Sequence, residues 1–169
     1  MTLAEIEEGA GVFVDANIFI YHFVGASSEC TSLLRRCEAG DVQGSDVGSG
    51  SAEVCHRLMM IEAVERRLVA AGNVAQKLAR RPDVVRQLAI HDASIQAIPS
   101  MGIEIVGVTE ATMRLGLRHQ SRYGLLTNDS LVVASMQQRG VRLLATADRR
   151  LAAVDEVEIR VPTDLGPRS

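Results

Sequence analysis

Four carboxylate residues are placed where they could act together in chemistry: Asp15, Glu53, Asp129 and Asp148. Asp15 ends a short apolar run at residues 11–14, and Asp148 follows shortly after another, at residues 141–145. Hard divalent cations such as Mg²⁺ and Mn²⁺ prefer oxygen ligands, which carboxylates supply. Such ions activate a water and stabilise the leaving oxygen when a phosphodiester is hydrolysed. The four acids therefore predict a metal-dependent hydrolytic site that needs no Ser, Cys or Lys nucleophile.

Each acid also has a structural interpretation. Aspartate near a helix start is favoured as a cap and by the helix dipole, so Asp129 and Asp148 have this alternative role. Asp15 is harder to explain in this way, because an apolar strand that runs into Asp, then Asn17 and more apolar residues, buries a charge beside the core. The metal-site hypothesis therefore depends on the four acids as a set.

Segments typical of strands alternate with helical patterns along the chain. The predicted strands are residues 11–15, 42–47, 103–108, 141–145 and 157–161. The predicted helices include a long one at residues 52–71, after a turn and cap cluster at 49–51, and two in the middle at 74–81 and 83–98. This alternation indicates an α/β fold with a mostly parallel sheet and helices on both faces. Ligands bind such sheets at the carboxyl ends of the strands, where we expect all four acids to lie.

Length and composition favour one domain of ordinary size. We expect a single domain over residues 1–169, with its core at about 11–161 and a loose tail at 162–169. Three cysteines without a CxxC pair argue against a disulfide framework and a zinc site. The acidic N-terminus does not resemble a signal peptide, and no apolar run approaches the roughly 18 residues of a membrane span. These features predict a cytoplasmic protein without membrane contact.

The net charge of −3 argues against a strongly basic nucleic-acid binder. Contact with nucleic acid would need a local basic patch and metal ions at the acidic site. Arg149 and Arg150, next to Asp148, are candidates to contact a substrate phosphate. A second candidate is a row at four-residue spacing on one helix face, formed by Arg114, Arg118 and Arg122, although such rows are more often solvated surfaces.

Several segments together resemble the PIN-domain family. The opening segment VFVDANIFIY at residues 12–21 is similar to the first motif of that family, and SAEV at 51–54 is similar to the second. LTNDSLVVA at 126–134 and LATAD at 144–148 resemble the later acidic motifs, in the expected order. The resemblance implies a PIN-like three-layer α/β/α fold with a central, mostly parallel sheet.

Carried over by motif, the resemblance gives each site residue a role. Asp15, Glu53 and Asp129 would be core metal ligands with Asp148 as the fourth acid, while Asn17 and Thr146 would orient ligands or a water. The greatest similarity is to VapC-type toxins of toxin–antitoxin pairs. That group implies a Mg²⁺- or Mn²⁺-dependent endoribonuclease with an RNA substrate, a homodimer and a small antitoxin partner. Residues 74–98 make the middle of this chain longer than in the smallest members of the group.

Other protein classes also cluster acids, but this sequence lacks residues that they need. A haloacid-dehalogenase-like phosphatase needs a second acid at the position of Asn17, and a receiver domain needs a lysine after a late strand, whereas the only lysine is Lys77. A PIN-like scaffold with weak catalysis and a housekeeping RNA-processing nuclease both remain open. The sequence leaves the RNA target, the preferred metal and the identity of an antitoxin undetermined.

Overall fold

A computed structural model describes residues 1–166 of the chain. Its strands are β1 Gly11–Val14, β2 Gln43–Val47, β3 Ile103–Val106, β4 Leu143–Ala145 and β5 Glu158–Arg160. Its helices are α1 Ala16–Phe23, α2 Ser28–Glu38, α3 Gly48–Glu65, α4 Val74–Ala79, α5 Pro82–Val85, α6 Ile90–Ala97, α7 Glu110–Tyr123 and α8 Thr127–Arg139. Short 3-10 turns occupy Leu3–Glu5, Pro99–Met101 and Arg149–Ala153.

The five strands form one sheet in the order β3-β2-β1-β4-β5, and every pair is parallel. Side chains of β1 alternate between its two faces, as the pleat requires. Val12 and Val14 belong to a core formed largely with α1, α2 and α3, whereas Phe13 packs with Val133 and Met136 of α8 in a second core. The predicted three-layer α/β/α fold with a parallel sheet is therefore confirmed.

The middle of the chain differs from the predicted helices. The helix predicted at residues 52–71 begins earlier, at Gly48, and ends at Glu65. The single helix predicted at residues 83–98 is instead two helices, α5 and α6. A separate apolar cluster of Ala63, Leu78, Val84 and Leu88 joins the end of α3 to α4 and α5.

The segment after β5 is attached to the start of α2, where a loose tail was expected. The carboxylate of Asp164 accepts hydrogen bonds from the Ser27 and Ser28 hydroxyls and from the backbone N–H groups of Ser28 and Glu29. Glu29 in turn accepts from the backbone and hydroxyl of Thr163. Residues 162–164 are thereby tied to α2, and residues 167–169 of the expected tail lie outside the described residues.

None of the helices within residues 1–166 is long and apolar enough to cross a membrane.

Candidate active site

Asp15 lies at the centre of the carboxyl edge of the sheet. It follows β1 directly, and its backbone N–H donates to the carbonyl of Ala145 at the end of the neighbouring β4, at 3.0 Å. Parallel pairing with β4 on one side and β2 on the other places Asp15 between the ends of two strands. The strand order therefore brings Asp15 next to the segment that carries Thr146 and Asp148.

Asn17 and Thr146 connect Asp15 to that segment. The Thr146 hydroxyl donates to Oδ2 of Asp15 at 2.5 Å, and the Asn17 side-chain amide donates to the same oxygen. Asn17 also contacts the Thr146 hydroxyl at 3.0 Å and accepts from the backbone N–H of Ala147 at 2.9 Å. The backbone N–H of Asp148 donates to Thr146 Oγ1 at 3.0 Å. This network links the end of β1 to the start of the Asp148 turn and fixes the Asp15 carboxylate.

The electrostatic surroundings of Asp15 make its charge costly. Burial raises the pKa of Asp15 from 3.8 to about 6, against the hydrogen bond from Thr146 that lowers it. The negative charges of Glu53 and Asp129 contribute to this increase. Glu53 and Asp129 thus act on Asp15 through space, although they lie on different elements.

Glu53 lies in the second turn of α3, since that helix begins at Gly48 rather than after residue 51. Its side chain is exposed, and its Oε2 accepts a hydrogen bond from the Asn128 side-chain amide at 3.1 Å. Asn128 is in the first turn of α8, next to Asp129. The structure therefore assigns Asn128 a contact with a site acid that the sequence prediction missed, although the residue stood in a recognised motif.

Asp129 and Asp148 differ in their partners. Burial raises the pKa of Asp129, and so do Asp148 and Glu53, while the Arg150 guanidinium lowers it. Asp148 accepts from the backbone N–H of Arg150 at 2.9 Å and from its guanidinium at 2.8 and 2.5 Å. Asp148 thus has the capping role that was its structural alternative, whereas Asp129 interacts electrostatically with three site residues.

The charge couplings bring all four predicted acids into one group. Asp15 interacts with Glu53 and Asp129, and Asp129 with Glu53 and Asp148. No set of three or more His, Cys, Asp or Glu side chains within residues 1–166 is positioned so as to hold a metal ion as it stands. The arrangement is an acidic edge of the sheet at which Asp15, Glu53 and Asp148 accept hydrogen bonds from protein donors.

A fifth carboxylate, Asp46, was missed from the sequence. It lies near the end of β2, is 1% exposed, and accepts from the Ser51 hydroxyl at 2.6 Å. Burial raises its pKa from 3.8 to about 7, and the charge of Asp15 contributes to the increase. The signal for Asp46 was the one used for Asp15, an acid at the end of a predicted strand.

The candidate phosphate-binding arginines lie in two places. Arg149 and Arg150 are exposed beside the acids, in the turn that Asp148 begins. On α7, Arg114 pairs with Glu110 on the same helix, and Arg122 pairs with Asp155 and lies over the Tyr123 ring. Arg118 is also exposed on α7. The Arg150 guanidinium also interacts electrostatically with Asp129 and Asp15.

Known proteins support the same fold. The family model described as PIN domain matches residues 12–157. A toxin–antitoxin complex from Klebsiella pneumoniae is 18% identical with a TM-score of 0.57, covering 87% of this chain and 95% of that chain. VapC20 of Mycobacterium tuberculosis, a Sarcin-Ricin loop cleaving toxin, is 14% identical with a TM-score of 0.58. The match covers 88% of this chain and 98% of that chain. VapBC2 from Rickettsia felis, bound to a DNA fragment from its promoter, is 11% identical with a TM-score of 0.55. The match covers 90% of this chain and 98% of that chain. No curated protein matches in sequence.

Proposed function

The chain belongs to the PIN-domain family, whose model spans most of its length, and on this premise we propose that it is a divalent-metal-dependent endoribonuclease. The observation that carries the proposal is the linked group of Asp15, Glu53, Asp129 and Asp148 at the carboxyl edge of the sheet. Their donors are all carboxylate oxygens, the ligand type that Mg²⁺ and Mn²⁺ prefer. The residues present therefore fit such ions.

Repulsion among these acids gives a physical reason for metal binding. The pKa of Asp15 and that of Asp129 are raised by burial and by neighbouring carboxylates, so the ionised group is unfavourable without a nearby cation. A bound Mg²⁺ or Mn²⁺ would supply charge neutralisation and an activated water for phosphodiester hydrolysis. Thr146 and Asn17 would keep the Asp15 carboxylate in a fixed orientation throughout.

Arg150 gives the site a group for the substrate. In the structure its guanidinium pairs with Asp148, and both the charge and the exposure of this side chain suit a phosphate oxygen. With Asp148 serving as a metal ligand, the Arg150 guanidinium would instead hold a phosphate of the RNA backbone. Arg149 and the α7 residues Arg114, Arg118 and Arg122 are further candidates for contacts along the strand.

The proposed role is that of a toxin in a toxin–antitoxin pair, acting on RNA in the cytoplasm. Support comes from the similar solved structures, of which one is a toxin–antitoxin complex and another a Sarcin-Ricin loop cleaving toxin. We further propose a homodimer neutralised by a small antitoxin. Exposed apolar side chains available for such contacts are Ile105, Val108, Met113, Leu117 and Leu126. Light scattering on the wild type and on Leu117→Asp tests the dimer.

Cleavage of structured RNAs tests the proposed activity. The purified chain is incubated with a mixed RNA panel in Mn²⁺, in Mg²⁺ and in EDTA, and compared with Asp15→Asn. Asp41→Asn is the matched control, because Asp41 is an exposed aspartate just before β2, at the opposite end of that strand from the site. We expect wild type and Asp41→Asn to cut RNA in a metal-dependent way. Asp15→Asn should cut no more RNA with metal than the wild type cuts in EDTA. RNA binding without cutting by folded wild-type protein would favour the scaffold function instead.

Expression in bacteria separates a toxin from a housekeeping nuclease. Induced wild-type protein should arrest growth while Asp15→Asn should not, if the activity is toxic. Active nuclease that leaves growth unchanged would favour RNA processing.

A further inference from the structure

Asp46 contacts the start of α3 from the neighbouring strand. It is almost completely buried at 1% exposure, and its Oδ2 accepts from the hydroxyl of Ser51 at 2.6 Å. The residue at the N-cap position of α3 is Val47, which has no side-chain acceptor for the free N–H groups of the first turn. Backbone N–H groups of Val47 and Ser51 also interact with the Asp46 carboxyl. Asp46 therefore ties the first helical turns of α3 to the end of β2 through Ser51.

Gly50 makes this contact possible. A Cβ atom built at Gly50 would lie 2.2 Å from Oδ1 of Asp46, much closer than two unbonded heavy atoms can approach. Gly50 is buried within the first turn of α3, where glycine costs about 1 kcal/mol relative to alanine. The glycine leaves room for the carboxylate against the helix backbone. Asp46 and Gly50 therefore form one packing unit with Ser51.

Gly50 and Ser51 of this unit lie just before Glu53 on α3. Of the four proposed metal ligands, Glu53 is the one carried by α3, and its exposed side chain has no core packing to hold it. The direction of the Glu53 side chain therefore depends on the first turns of α3 and on the amide of Asn128. A shift of the helix start would move Glu53 away from Asp15 and Asp129.

We propose that Asp46 is a positioning residue for the metal site, acting through Ser51 and the first turn of α3 on Glu53. The inference deepens the proposed function and rests on it, because Glu53 matters here as a metal ligand. The side-chain oxygen of Asp46 holds the helix start against the end of β2. Its hydrogen bonds, rather than its negative charge, carry the effect.

Mn²⁺ binding tests this role without depending on catalysis. Mn²⁺ affinity is measured by electron paramagnetic resonance on the full chain, well below the unfolding temperature of each variant. Asp46→Ala should weaken Mn²⁺ binding about tenfold, the usual cost of losing a group that orients a ligand. Asp46→Asn should restore binding to near the wild-type value, because its side-chain carbonyl accepts from Ser51. Ser135→Ala is the control, since Ser135 is equally buried but lies in α8 and has no side-chain hydrogen-bond partner in the described structure.

Gly50→Ala provides a second route to the same contact. Its methyl group should displace the Asp46 carboxylate and weaken Mn²⁺ binding as Asp46→Ala does. The double variant Asp46→Ala/Gly50→Ala should be no worse than either single variant, because both break one contact. If Asp46→Ala does not fold, Gly50→Ala and Asp46→Asn still provide the test.

Three results would overturn the proposal in different ways. Wild-type Mn²⁺ affinity in folded Asp46→Ala and Gly50→Ala would show that the contact is only structural. Equal weakening in Asp46→Asn and Asp46→Ala would show that the charge, and not the hydrogen bonds, matters. Absence of both Mn²⁺ binding and cleavage in the wild type would overturn the proposed function itself, and with it this role for Asp46.

Discussion

Two carboxylate sites in this molecule, Glu62 and the acidic edge of the sheet, have opposite electrostatics. Glu62, near the end of α3, is 3% exposed and accepts from the Arg66 guanidinium at 2.7 Å and from the backbone N–H groups of Ala89 and Ile90 at 3.0 Å. Although burial raises the pKa of Glu62, these donors lower it overall. The pKa of Asp15 at the sheet edge is instead raised to about 6.

The difference lies in what surrounds each carboxylate. Glu62 has a cation and two backbone donors, so its charge is compensated within the protein. Asp15 has the side chains of Asn17 and Thr146 as donors, but it also faces the charges of Glu53 and Asp129. Glu62 thus stabilises the fold, whereas the acids of the edge cost stability that a bound cation would return.

Loss of Glu62 should have the largest effect on stability. Glu62→Ala leaves the backbone N–H groups at the start of α6 and the Arg66 guanidinium without their acceptor, so we expect a loss of about 4 kcal/mol in the free energy of unfolding. Urea denaturation measures this value. Glu65→Ala, an exposed acid on the same helix, is the control and should change stability by no more than about 0.5 kcal/mol. A small effect of Glu62→Ala would remove the basis for contrasting the two groups.

The sheet edge should give the metal-free protein an unusual pH dependence. Asp15 and Asp46 hold their protons more tightly in the folded chain than in the unfolded chain, where the pKa is near 3.8. Their contribution to stability is therefore complete below about pH 4 and is lost as the pH rises through about 6 and 7. Glu62 has the opposite sign, because its lowered pKa gives stability that is lost as the pH falls below its ordinary value of 4.5.

Asp15→Asn measures the size of the edge effect. Its amide oxygen can still accept from Thr146 and Asn17, but the residue carries no charge. In EDTA at pH 8 we expect this variant to be more stable than wild type by about 3 kcal/mol, since each pKa unit corresponds to about 1.4 kcal/mol. The two proteins should converge near pH 4. Equal stability at both pH values, by urea denaturation, would show that Asp15 is not strained.

The edge of the sheet was predictable because strand order and motif agree there. An apolar strand ending in Asp15, followed by helix and later by Thr146 and Asp148, defines one edge of a parallel sheet whatever the exact boundaries are. In the structure Asp15, Asp129 and Asp148 interact with one another at that edge. Their roles as metal ligands stay a prediction.

The errors occurred at helix starts that contact an acid from another element. The predicted helix over residues 83–98 is divided, and α6 begins at Ile90, where Glu62 of α3 accepts the free N–H groups. α3 begins at Gly48, and its Ser51 hydroxyl donates to Asp46 at the end of β2. Asp164 caps α2 in the same way from beyond β5. No local periodicity indicates such long-range contacts.

Mn²⁺ should return the stability that the edge acids cost. A ligand at 100 times its dissociation constant stabilises the folded state by about 2.7 kcal/mol. We expect thermal unfolding of wild type to shift upward with Mn²⁺ at pH 7.5, and much less at pH 5, because Asp15 is then mostly protonated. Asp15→Asn should show little shift, and Asp41→Asn the full one. An equal shift for Glu62→Gln and wild type would confirm that Glu62 belongs to the fold and not to the site.

The smallest expected effect concerns Asn128, whose neutral side-chain amide donates a hydrogen bond to Glu53 at the acidic edge. Asn128→Ala removes the amide that holds Glu53 at 3.1 Å, so Mn²⁺ affinity and cleavage should each fall about tenfold. Asn128→Asp should be worse, because it places a carboxylate against Glu53. Gln120→Ala is the matched control, since that amide contacts Thr127 at the same helix start but touches no site acid. Stability should stay within about 0.5 kcal/mol of wild type in all three variants. For Asn128→Ala we thus expect metal affinity to fall while stability is kept, whereas loss of Glu62 should lower stability and leave metal binding intact. Unchanged Mn²⁺ affinity in Asn128→Ala would mean that the helix start alone directs Glu53.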